Sequence, residues 1–116
     1  MDLFPKRHGD TVVVSPTGRI DQANAEVFKS ALAPHLERCA KGQDRLVLDL
    51  SGLDYISSAG LRILMLAAKQ SKAQGGKLLL ACLQPLVQEI FEISRFTLVF
   101  EIAPTLPDAL ARAAAP

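Results

Sequence analysis

Arg45-Leu46-Val47-Leu48-Asp49-Leu50, followed closely by Asp54-Tyr55-Ile56-Ser57-Ser58-Ala59-Gly60-Leu61-Arg62, carries the strongest structural signal in the chain. The first run is almost wholly apolar over the length of a strand, the pattern of a central strand covered on both faces. The second runs into Leu61, Leu64, Met65 and Ala68, which recur at helical spacing and predict the buried face of a helix. Leu53 to Ser58 is then a loop between strand and helix, and two adjacent hydroxyls sit where the helix begins. Backbone N–H groups are unpaired there and the helix dipole is positive. Ser57 and Ser58 are therefore candidate helix caps, and the same place tolerates a phosphate.

Working outward, Leu3 to His8 predicts a short strand that Pro5 confines to a sheet border. Gly9-Asp10 reads as a tight turn into Thr11–Ser15, a β-branched strand, and Pro16-Thr17-Gly18 ends or bends it. Asp21 or Asn24 is available to cap a first helix that buries Phe28, Ala31, Leu32 and Leu36. Pro34 falls inside that helix and predicts a kink, because an interior proline removes a hydrogen bond. Lys41-Gly42 supplies its close, and Gly75-Gly76 stops the second helix. Lys77–Cys82 predicts another buried strand. Pro85 suits the first turn of a third helix, expected to bury Leu86, Ile90 and Ile93. Phe96–Ile102 predicts the last strand and Asp108–Ala114 a terminal helix.

The resulting order, ββαβαβαβα, predicts an α/β fold with parallel central strands. Right-handed crossovers gather its loops at the carboxyl edge of the sheet. A length of 116 residues suits one domain over 1–116, and 49% hydrophobic with 22% charged residues suits an ordinary core. The formal net charge is +1, without a basic or acidic block, so nucleic acid and anionic membrane lack their usual electrostatic footprint. No apolar run has membrane-spanning length and the amino terminus lacks a signal-peptide core, so the expected location is the cytoplasm. Cys39 and Cys82 stand far apart without CxxC spacing, which leaves a single disulfide open but gives no secreted framework.

Enzymatic readings of the same residues fare poorly. Neither serine follows a glycine by two residues, so the GxSxG elbow of serine hydrolases is missing. His8 and His35 are the chain's two histidines, one at a turn and one late in a helix. No His/Cys/carboxylate cluster has metal-ligand spacing, and no cofactor motif occurs. Gly75-Gly76 follows a helix and precedes a strand, the reverse of a phosphate-cradling loop. Asp21 can be simply a cap, and Asp49 and Asp54 simply loop carboxylates. Arg62 reads as an exposed helix residue able to contact a partner or a phosphate on Ser58. As a cap, a serine contributes about 1 kcal/mol. As a phosphoacceptor it would gain about −1.5 to −2 charges, which the helix end tolerates and a docked partner does not.

At these residues the chain resembles the anti-sigma factor antagonists of the STAS domain family. Gly18-Arg19-Ile20-Asp21 is similar to that family's Gly-x-Leu/Ile-Asp turn, and Leu46–Ser51 to its central strand. Asp54–Leu61 is similar to its phosphorylation loop, Gly75-Gly76-Lys77-Leu78 to the turn into the next strand, and Pro85–Ser94 to its third helix. The resemblance implies one STAS-type domain, with a mixed sheet of four to five strands and helices mainly on one face. It implies partner switching in place of catalysis. The unphosphorylated protein binds an anti-sigma factor that is also a serine kinase, is released on phosphorylation, and is restored by a PP2C-type phosphatase. On motif alignment the acceptor is Ser58, with Ser57 second. Asp21 matches an aspartate associated with kinase recognition, and Asp54, Ser57, Ala59, Gly60, Leu61 and Arg62 complete the expected docking surface. One departure is Ser57, which stands where many switching members carry aspartate. The alternative is a STAS-type module that binds its partner constitutively, outside sigma-factor control.

Overall fold

The computed structural model describes residues Met1–Pro116. Five strands form one mixed sheet in the order β1-β2-β4-β6-β7. These are β1 (Lys6–His8), β2 (Thr11–Val14), β4 (Arg45–Asp49), β6 (Leu78–Ala81) and β7 (Glu101–Ala103). β1 pairs antiparallel with β2 through a hairpin at Gly9-Asp10, and β2, β4, β6 and β7 run parallel. Four helices connect or follow them: α1 (Ala25–Glu37), α2 (Ser58–Ala73), α3 (Pro85–Ile93) and α4 (Leu106–Ala114).

Alternation along the strands divides the core in two. Val12, Val14, Leu46, Leu48 and Leu80 point to the face covered by α1, α2 and α3, together with Phe28, Leu32, Leu64 and Phe91. Val13, Val47, Leu79, Ala81 and Ala103 point to the other face, which α4 covers with Ala109 and Ala113. Three helices lie on one face and one on the other, as the family resemblance implies. The small side chains between α4 and the sheet let a short helix close that face.

Two strands were not legible as strands. β3 (Gly18–Ile20) and β5 (Leu53–Ile56) pair in parallel as a separate two-stranded ribbon. The expectation that 53–58 is loop is thus corrected for its first four residues. Each segment is too short to show a period, and the hydrogen bonds joining them connect parts of the chain distant in sequence.

Other differences have local causes. β1 starts only after Pro5, which has no N–H to donate; Leu3 is still buried, and its carbonyl accepts from Ser15 N–H at 2.6 Å. α1 runs unbroken through Pro34, whose ring lies on the exposed side while Leu32 and Leu36 are buried. The freed carbonyl belongs to Ser30, itself exposed, so the unmade bond falls on the solvent side of the helix. α1 also ends before Lys41-Gly42, at Arg38. α2 stops at Gly75 as expected: Gly75 adopts φ +71° and donates to Lys72, while Gly76 N–H donates to Ser71 at 2.8 Å.

The expected strand from Phe96 is instead a 3-10 turn, Phe96–Leu98, with β7 confined to Glu101–Ala103. Arg95 adopts φ 59° and turns the chain, so that Phe96 and Phe100 close over Phe91 with ring centroids 6.0–6.2 Å apart. That cluster also sets the rotation of α3. Val87 and Phe91 are buried and Ile90 is half-buried against the same core, whereas Leu86 is 50% and Ile93 75% exposed, so of the three expected residues Ile90 alone faces inward. On α2, Leu61 and Leu64 are buried as expected, with Ile63 and Ala67 ahead of the half-buried Met65 and Ala68.

The rotation of α3 is open to direct test by urea unfolding. Phe91→Ala is expected to lower stability by about 3–5 kcal/mol. Ile93→Ala, at an exposed position, is expected to stay within about 0.5 kcal/mol of the parent.

Candidate functional site

β3 and β5 end side by side at the amino termini of α1 and α2, and this junction assembles the expected site. Ser57 N–H donates to the Ile20 carbonyl at 2.8 Å, tying the start of α2 to the end of β3. Ile20 and Ile56 are fully buried beneath it, and Gly60 packs directly on both. A Cβ at Gly60 would stand 2.7 Å from Ile20 Cγ2 and 2.7 Å from Ile56 Cγ1. Glycine here permits the close approach that brings helix and ribbon together.

The two serines have different duties. Ser57 is the N-cap in extended conformation, and its hydroxyl oxygen accepts from Gly60 N–H at 3.3 Å. Ser58 is the first helical residue, is exposed, and its hydroxyl is unengaged within the chain.

Asp21 organises the neighbouring turn. Its Oδ1 accepts from Ala23 N–H at 3.0 Å and from Asn24 N–H at 3.3 Å, while Asn24 Oδ1 accepts from Asp21 N–H at 2.8 Å. Asn24 Nδ2 then donates to the Arg19 carbonyl at 2.7 Å. Asn24 is thus the positional cap of α1, but its side chain serves the turn and makes no bond to the helix.

Asp54, Ser58 and Arg62 are exposed, and Asp21, Ser57 and Ala59 are half-buried. Gly60 and Leu61 are buried and form the floor of the site, so their contribution to docking is support. Two neighbours were missed. Arg19 is exposed with its guanidinium carbon 4.4 Å from the Tyr55 ring centroid, a cation–π stack on the outer face of the ribbon. The sequence carried no signal for this stack, because it forms only when β3 and β5 pair and set Arg19 opposite Tyr55.

No reactive constellation gathers around the serines. His8 lies in the β1–β2 hairpin and His35 in the last turn of α1, both at the opposite end of the sheet. The cysteines are free thiols. Cys39 is buried and its Sγ donates to the Lys77 carbonyl at 3.3 Å. Burial pushes the Cys82 thiol up and the Asp49 carboxylate adds to this, which disfavours the nucleophilic thiolate. No cluster of three or more His, Cys, Asp or Glu side chains is placed to hold a metal. No helix is long and apolar enough to cross a membrane. A groove of about 720 Å³ lies at the other end, among Asp10, Lys41, Arg45 and Lys77. That groove is lined by neither Ser57 nor Ser58.

Comparison with known proteins bears on the family and the fold. The family profile described as STAS domain matches residues 5–109. A Bordetella bronchiseptica protein named as an anti-sigma factor antagonist, BtrV, is 49% identical over 86 residues, covering 74% of this chain and 72% of that protein. Among solved structures, TM1081 of Thermotoga maritima, described as an anti-sigma factor antagonist, superposes with TM-score 0.85 at 22% identity, over 96% of this chain and 93% of that one. The Bacillus cell fate determinant SpoIIAA, solved in a phosphorylated form, superposes with TM-score 0.67 at 16% identity, over 93% and 96%. At these identities the two structures speak for the fold.

Stability measurements separate the roles at the helix start. Ser57→Ala is expected to cost about 1 kcal/mol through the lost cap, and Ser58→Ala to stay within about 0.5 kcal/mol. Gly60→Ala is expected to cost about 1–3 kcal/mol by overpacking against Ile20 and Ile56.

Proposed function

The chain belongs to the STAS domain family, and from that premise we propose that residues 1–116 form one STAS domain acting as an anti-sigma factor antagonist in a partner-switching circuit. In this reading the unphosphorylated protein binds an anti-sigma factor of the serine-kinase class in the cytoplasm, through the Asp21 turn, the 54–62 segment and the exposed side of α2. It works by binding and carries out no catalysis of its own. The observation that carries the proposal is the exposed, unengaged Ser58 hydroxyl beside a Ser57 hydroxyl already committed to capping.

The kinase transfers the γ-phosphoryl group of ATP to Ser58. A bond forms between Ser58 Oγ and phosphorus, the bond from phosphorus to the bridging β-phosphate oxygen breaks, the hydroxyl proton leaves and ADP departs. A PP2C-type phosphatase reverses the state with water, releasing inorganic phosphate. The phosphate adds about −1.5 to −2 charges to a surface a partner must cover. The helix dipole tolerates it without refolding, and desolvating it under a docked protein is unfavourable.

Intact-mass analysis after incubation with the cognate kinase and ATP checks the assignment. One added phosphate is expected on the parent and on Ser57→Ala, and none on Ser58→Ala. Ser58→Asp is expected to lose most of its affinity for the unphosphorylated protein's partner. An unchanged affinity would favour the constitutive binding module.

A further inference from the structure

α2 carries a row of exposed residues at helical spacing: Ser58, Arg62, Leu66 and Lys69. Side chains four apart on a helix stand about 5–6 Å from one another at Cβ, so Arg62 lies directly above Ser58 on the same face. Arg62 takes part in none of the chain's ion pairs, which employ Arg7, Arg45 and Arg112. α2 has no Asp or Glu at all, so nothing on its own helix competes for that guanidinium.

The other charged groups at this end are otherwise placed. Arg19 is stacked on Tyr55, and Asp21 is bonded within its own turn. Asp54 stands on β5; Glu26 and Lys29 belong to the first turns of α1, where Lys29 and Leu66 line a separate small apolar pocket between α1 and α2. Arg62, about one turn from Ser58, is thus the nearer of the two cations in that row, Lys69 standing about three turns away.

We propose that Arg62 is the intramolecular counter-ion of a phosphate on Ser58, a regulatory role that rests on the phosphoacceptor reading above. The orientation is the favourable one, with the anion toward the amino terminus and the cation four residues on. Guanidinium presents paired N–H donors that match phosphate oxygens. The pairing gives phosphorylation a second consequence. Besides adding charge, it withdraws the row's nearest cation from any partner that uses it.

The test needs neither kinase nor partner, so it stands or falls separately from the circuit assignment. Phosphoserine is installed at position 58 by synthesis, and its second proton dissociation is followed by ³¹P NMR titration. In the parent background the dissociation constant is expected to exceed that of Arg62→Gln by about two- to fourfold, the range of an exposed i, i+4 charge pair with a doubly charged anion. Arg62→Lys should restore part of the difference, Lys69→Gln should leave it unchanged, and added salt should shrink it. Both positions are exposed, and a matching urea midpoint verifies that each variant is folded. Equal titrations of the parent and Arg62→Gln would overturn the proposal, as would an effect of Lys69→Gln equal to that of Arg62→Gln.

Discussion

The close contact of Gly60 with Ile20 and Ile56 is the constraint on which the site depends. It lets the first turn of α2 rest on the β3–β5 ribbon, and the bond from Ser57 N–H to Ile20 carbonyl fixes the orientation. A side chain at position 60 would hold the helix off the ribbon. The cap at Ser57, the exposure of Ser58 and the nearness of the Asp21 turn all follow from that one approach. Backbone proximity thus becomes surface chemistry: one hydroxyl is consumed in holding the helix and its neighbour is left free.

The ribbon is held in turn by the main sheet. β3 follows β2 and β5 follows β4, whose central residues Val47 and Leu48 are fully buried between two helical layers. A strand clamped on both faces has little freedom to shift register, since a one-residue slip would exchange its two sets of side chains. The large apolar residues face three helices and the smaller ones face α4. The candidate site thereby rests on a closely packed scaffold while its polar groups stay at the surface. A switch that works by charge suits such a frame, because it requires no rearrangement of the core.

Much of this was legible along the chain. The apolar runs at β4 and β6 and the periodicity of α1 and α2 predicted their elements, since burial on both faces or on one stripe leaves a direct mark on composition. The αL glycine closing α2 and the Ser57-Ser58 pair at its opening were equally plain. Less legible were elements whose identity depends on distant partners. β3 and β5 are too short to show alternation and become strands only because they meet. α3 offered two adjacent apolar rows, Leu86/Ile90/Ile93 and Val87/Phe91, and its sequence had no means of choosing between them. Phe96 and Phe100, brought back by the left-handed turn at Arg95, favoured the second, with Ile90 half-buried at its border.

The sequence by itself determined the order of the major helices and strands, the parallel run of the central strands and the placement of two serines at a helix start. These rest on local propensity and hydrophobic period, which act within a few residues. Only the tertiary structure decided which serine is spent as a cap, which is free, and that Arg19, Tyr55 and the Asp21 turn border them. Those outcomes depend on the pairing of residue 20 with residue 56 and on the absence of a Cβ at residue 60. Such contacts join segments far apart along the chain, and they acquire energetic meaning only after the core has packed.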